Sequence, residues 1–176
     1  MFSIRRTTFA LAAVAALTAG TAAAQTATPT PEPVAGPVAK NTFYVELLGN
    51  AAVYSLNYER FFTPQLGIRV GGMFLRGEDD SGDEATIGIF PVMATYLLGE
   101  GNSHFETGLG VGILTASANI DEIDEDFSGS DLYATATLGY RYQKPTGGVI
   151  FRAGFTPAYA SGTFIPWVGA SVGYAF

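Results

Sequence analysis

From Asn41 to Phe176 the chain alternates between apolar and small or polar residues with a period of two. Phe43, Val45 and Leu47 share one parity, with Tyr44 and Glu46 on the other. Next, Tyr54, Leu56, Tyr58 and Phe62 oppose Ser55, Asn57 and Glu59. Leu66, Ile68, Val70 and Phe74 oppose Gly67, Arg69, Gly71 and Met73. The stretch TIGIFPVMATYLL is less regular, and Phe90, Val92, Tyr96 and Leu98 are assigned to its apolar face. Phe105, Leu109, Val111 and Ile113 oppose His104, Glu106 and three glycines, Gly108, Gly110 and Gly112. Leu132, Leu138, Tyr140 and Tyr142 oppose Tyr133, Thr135, Thr137 and Arg141. Val149, Phe151, Phe155 and Tyr159 oppose Arg152, Gly154 and Thr156. The final segment sets Val168, Ala170, Val172, Tyr174 and Phe176 against Gly169, Ser171, Gly173 and Ala175. A period of two is the signature of half-buried strands, and the count predicts about eight strands of roughly ten residues.

The chemistry of the two faces decides which one points outward. A soluble barrel sends its large apolar side chains inward and its charges outward. In this chain the second face is mostly Gly, Ser and Thr with a few charges, which suits a narrow, crowded lumen. The apolar face carries Leu, Val and Ile, with Phe and Tyr towards strand ends, as in the aromatic girdles of membrane barrels. The reading is therefore a barrel with its apolar face outward.

The first forty residues read differently. MFSIRR is a basic start, TTFALAAVAALTAG a short apolar run, and TAAAQ offers a cleavage site after Ala24. This is the pattern of a cleaved secretory signal peptide over residues 1–24. Residues 25–40 are rich in Pro, Thr and Ala and predict an extended, disordered linker. After the signal no apolar run reaches the ~18 residues of a membrane helix, so a membrane could be crossed only by strands. The chain has no Cys, which removes disulfides, thiol chemistry and lipoprotein anchoring.

The alternating tail ending in Val172, Tyr174 and Phe176 resembles the C-terminal assembly signal of bacterial outer-membrane proteins. With the export signal and strand pattern, residues 41–176 resemble the small outer-membrane barrels of the OmpA and OmpX type. The resemblance implies an all-β fold, an eight-stranded antiparallel up-and-down transmembrane β-barrel, in the outer membrane of a Gram-negative cell. It implies contact with outer-membrane lipid and lipopolysaccharide, handling by periplasmic chaperones and the barrel-assembly machinery, and a monomer. OmpA-like proteins often carry a peptidoglycan-binding domain after the barrel. Residues 41–176 contain none, so wall anchoring is not carried over. The last strand is expected to pair with the first, because lipid cannot hydrogen-bond a free edge.

Charge narrows the function. Losing Arg5 and Arg6 with the signal leaves seven basic against sixteen acidic residues, a net charge of −9. That argues against nucleic acid as a partner, since phosphates attract basic patches. An even strand count puts both termini in the periplasm, where the short turns TPQ, GEGNS and QKPTGG also fall. GNAA, RGEDDSGDE, TASANIDEIDEDFSGS and ASGT then fall outside. Two of these hold most of the acidity: Glu78, Asp79, Asp80, Asp83 and Glu84, and Asp121, Glu122, Asp124, Glu125 and Asp126. Such loops suit a solvated surface that prevents association. Clustered carboxylates also suit calcium, but the EF-hand spacing fails at Gly82, and no metal site is assigned.

Strand parity places Glu46, Glu59, Arg69, Glu106, Arg141 and Arg152 in the lumen, three acidic and three basic. Glu59 and Arg69 flank the TPQ turn symmetrically and are expected to be cross-strand partners, so Arg69→Ala is expected to strand Glu59. Balanced charges predict a salt-bridged plug. The glycines Gly108, Gly110 and Gly112 keep open the alternative, a narrow channel for small solutes. A lipid-A-modifying hydrolase built on Ser103, His104 and Glu106 is disfavoured, because neighbouring strand residues point to opposite faces. No phosphate loop, nucleophile elbow or metal-ligand spacing occurs, and neither enzymatic activity nor a cofactor is expected. The leading expectation is a structural or surface-interaction protein.

Overall fold

The computed structural model describes residues 39–78, 84–120 and 125–176. The signal peptide, most of the linker, and Asp79, Asp80, Asp83, Asp121, Glu122 and Asp124 lie outside the described residues, as do the side chains of Glu125 and Asp126.

The period of two becomes a closed antiparallel barrel. Its strands are β1 Asn41–Leu48, β2 Tyr54–Phe61, β3 Leu66–Glu78, β4 Glu84–Leu98, β5 Ser103–Ile120, β6 Glu125–Tyr142, β7 Gly148–Phe155, β8 Ala158–Ala160, β9 Thr163–Ile165 and β10 Val168–Ala175. Neighbours in sequence pair from β1 through β7, β8 pairs with β9 and with β6, β7 pairs with β10, and β1 closes the ring against β10. Asn41 and Phe176 exchange both backbone hydrogen bonds at the seam, at 2.9 and 2.8 Å. The ten segments make eight staves. Phe155 pairs with Val168 and Ala158 with Ile165 in one unbroken register, so β7–β8 and β9–β10 are two continuous staves.

Proline explains where those staves are interrupted. Continuing the register sets Pro157 opposite Pro166, and neither has an N–H to give a ladder. The hairpin turns at Ser161 and Gly162, whose φ of 49° and 81° place both central residues in the left-handed region. That geometry matches the twist of the flanking strands and favours glycine at the second position.

The two ends of the barrel differ. At one end the turns are short. Ala39 and Lys40, assigned to the linker from composition, are ordered there: Ala39 donates to the Pro145 carbonyl at 2.7 Å, and Lys40 accepts from Phe61 at 2.7 Å. At the other end β3–β4 and β5–β6 rise well above β1–β2. Residues 115–120 and 125–130, predicted as loop, are strand, paired from Thr115↔Ser130 to Ile120↔Glu125. Glu78 and Glu84 are likewise strand residues facing each other, and Glu125 and Asp126 begin β6. Once a hairpin ladder is started, polar residues extend it as readily as apolar ones where water can solvate both edges.

The outer surface is an apolar belt. Phe43, Tyr58 and Tyr174 form a cross-strand row near the short-turn end, with Val45, Leu56 and Val172 in the next outward row. All six are uncovered by protein, as are Leu109 at 73% and Leu138 at 48% exposure. The C-terminal residues Val172, Tyr174 and Phe176 belong to this belt. Inward positions are the buried ones: Thr42, Glu46, Ser55, Asn57, Glu59, Arg69 and Thr95 are all nearly inaccessible.

Candidate functional site

Alternation aims six ionisable side chains at the barrel axis, and all six are buried: Glu46, Glu59, Arg69, Glu106, Arg141 and Arg152. They join into one alternating chain. Arg141 lies 2.5 Å from Glu59 and 3.5 Å from Glu106. Arg152 holds Glu106 through Nε at 2.8 Å and through a second nitrogen, a bidentate fork. Arg152 also approaches Glu46 at 3.9 Å, and Glu46 faces Arg69 at 3.7 Å. The order is Glu59, Arg141, Glu106, Arg152, Glu46, Arg69, with signs alternating throughout. Three positive and three negative charges cancel, as removal of charge from water requires.

Neutral groups complete the chain. Thr95 donates to Glu59 at 2.5 Å, and Arg141 bonds Gln143 at 2.8 Å and Thr42 at 3.3 Å. Two guanidinium groups stack on aromatic rings, Arg141 on Phe61 at 5.0 Å and Arg152 on Tyr44 at 4.5 Å. Both distances fall within cation–π range.

One expectation is corrected. Glu59 and Arg69 are register partners, yet their side chains part: Glu59 turns to Arg141 and Thr95, and Arg69 to Glu46, Tyr44 and Asn50. The barrel is narrow enough that a partner across the lumen competes with one on the next strand. Arg69→Ala therefore removes a partner of Glu46, which keeps Arg152, and leaves Glu59 paired with Arg141.

The loop after β1 supplies what sequence reasoning missed. Gly49–Ala51 form a single 3-10 turn, and all three residues are buried. The loop tucks into the lumen instead of standing clear of it. Asn50 is its centre. Its Nδ2 donates to Thr135 Oγ1 at 2.6 Å and to the Ala136 carbonyl at 3.0 Å. Its Oδ1 accepts from Arg69 and from Thr137 at 3.1 Å, and its backbone carbonyl accepts from the Tyr133 hydroxyl at 2.7 Å.

The bond to Ala136 has a cause two staves away. Ala136 donates its N–H to the Pro157 carbonyl at 3.0 Å. In a regular ladder the return bond would come from residue 157, but proline has no N–H. Asn50 supplies the missing donor. Leu48 and Ala52, on either side of the turn, have φ of 59° and 65°. Non-glycine residues in that region cost about 1–3 kcal/mol each and persist only when surrounding contacts impose them. The signal in the sequence was faint: Gly49, Asn50, Ala51 and Ala52 are uncharged and small enough to enter a narrow lumen.

The glycine stripe, which kept a channel open as an expectation, is covered. The Met93 side chain lies against Gly108 and Gly110, and the Tyr133 ring lies over Gly112. The void beside Glu106 and Arg152 measures about 10 Å³, room for about one water. The hydrolase constellation is not assembled: the Ser103 hydroxyl meets Tyr140 at 2.9 Å, and Glu106 is taken by Arg152.

No protein-family model matches the chain, and no curated protein matches it. Solved structures do. The N-terminal β-barrel domain of Pseudomonas aeruginosa OprF is 16% identical with a TM-score of 0.57, the match covering 78% of this chain and 96% of that one. Ail, the attachment invasion locus protein of Yersinia pestis, in complex with the heparin analogue sucrose octasulfate, is 16% identical with a TM-score of 0.53, covering 77% and 95%. The fold is thus the eight-stranded barrel of the small outer-membrane proteins.

Proposed function

We propose that the protein is a non-enzymatic outer-membrane barrel that presents an acidic surface on a plugged lumen. The apolar belt faces lipid, the short turns lie in the periplasm, and the long hairpins β3–β4 and β5–β6 stand outside. The observation that carries the plug is the continuous Glu59-to-Arg69 ion-pair chain, capped by the inward Asn50 loop. A conducting pore needs a solvated path, and these side chains fill the axis.

Function then resides on the exposed end and in the scaffold. The net charge of −9 left after signal cleavage favours cationic over polyanionic partners there, unlike a surface suited to a sulfated ligand. The test is single-channel conductance of the folded protein in a planar bilayer. A silent bilayer, with folding shown by a heat-modifiable gel shift, is the expected result. Reproducible conductance steps that change with Arg152→Ala would overturn the plug and make a narrow channel the function.

A further inference from the structure

Above Asn50 the inward positions change character. The same strand parity that carries Glu106, Arg141 and Arg152 lower down here carries Ile89, Leu114, Tyr133, Ile165 and Trp167. They line a cup of about 420 Å³ at the long-hairpin end, within the size range of small-molecule sites. On β3–β6 the outward parity reverses too, while on β8–β9 the outward Tyr159 and Phe164 stay apolar and exposed. Phe74, Phe90 and Ile113 belong to the belt, while the next outward positions include Arg76, Thr115 and Ser130. Apolar inside and polar outside, as on β3–β6, is the pattern of a soluble ligand-binding barrel. The wall is lowest where the chain dives from Leu48 to Val53, so the cup stays open: Ile165 is 40% and Trp167 37% exposed.

Two observations select the occupant. Among the described residues the one charged lining residue is Asp131, with no Lys or Arg in the wall. Thr156, which lines the cup at its boundary with the charged layer, is buried, and its hydroxyl has no partner among the described residues. An apolar wall, a carboxylate, two electron-rich rings and a free hydroxyl suit a small organic cation carrying an alkyl or aromatic body. We propose that the cup binds such amphiphilic amines. The proposal does not require the plug reading, since the cup lies above the ion-pair chain.

Trp167 is the only tryptophan, so its fluorescence reports on the cup directly. The protein reconstituted in lipid vesicles would be titrated with hexyltrimethylammonium, 1-hexanol and hexanesulfonate, which share one chain length. Saturable change with the cation, at least about tenfold tighter than with the sulfonate, is expected. Asp131→Asn should shrink that preference to about threefold or less and leave the hexanol titration unchanged. Ala158→Leu, which fills the cup without touching its charge, should abolish saturation with all three. A non-saturating response, identical in wild type and Ala158→Leu, would mean partition into lipid and overturn the site. A sulfonate bound as tightly as the cation would overturn its assignment to amines.

Discussion

The lumen has two storeys built on one parity. In the lower storey, inward positions hold Glu59, Glu106, Arg141 and Arg152, each in an ion pair and close-packed. In the upper storey, the same parity on β4, β5, β6, β8 and β9 holds Ile89, Leu114, Tyr133, Ala158 and Ile165 around open space. Alternation sets which way a side chain points and leaves its chemistry free. The chemistry follows what lies outside the wall. With the belt in lipid, as proposed, the polar residues of the lower storey must turn inward and satisfy one another. Above the belt, water solvates the outer face and the inner face can be apolar. Asn50 is the floor between the storeys.

The most severe way to break this arrangement is to remove the ion shared by two carboxylates. Arg141→Met keeps volume but leaves Glu59 and Glu106 underpaired, and should cost about 3–5 kcal/mol, read as a large drop in the urea unfolding midpoint. A midpoint within error of wild type would show that the lower storey is not a coupled network. Arg69 sits at the end of the chain, so Arg69→Ala should cost less, about 1–3 kcal/mol. A double-mutant cycle sharpens the point: Arg69 should couple to Glu46, and its coupling to Glu59 should be within error of zero.

The floor is the next target. Asn50→Ala removes the bonds to Thr135 and to the Ala136 carbonyl, and should destabilise by about 1–3 kcal/mol. Bilayers should stay silent, because the ion pairs below persist when Arg69 loses its bond to Asn50 Oδ1; conductance in this variant would show that the loop alone seals the barrel. The smallest effect is the most specific. Pro157→Ala restores an N–H opposite Ala136, and in the Asn50→Ala background it should recover roughly 0.5–1.5 kcal/mol. In the wild-type background the same change should be nearly neutral in urea melts, since Asn50 already occupies that carbonyl.

What the sequence by itself determined is the alternation and everything that alternation implies. The inward residues Glu46, Glu59, Arg69, Glu106, Arg141 and Arg152, the outward residues Phe43, Val45 and Leu109, and the Glu59–Arg69 register all depend on a period of two and one short turn. These are local quantities. Hairpin length above the belt was not legible, because polar residues such as Thr115 and Ser130 read as loop when only their hydropathy is known. Partner choice in the lumen was not legible either. Glu59 pairs with Arg141, eighty-two residues away, because closure brings opposite walls within side-chain reach. Asn50 meets Ala136 because Pro157 left a carbonyl free, a fact distributed over three distant segments. The direction of a side chain is fixed by its neighbours in sequence, and its partner is fixed only when the barrel closes.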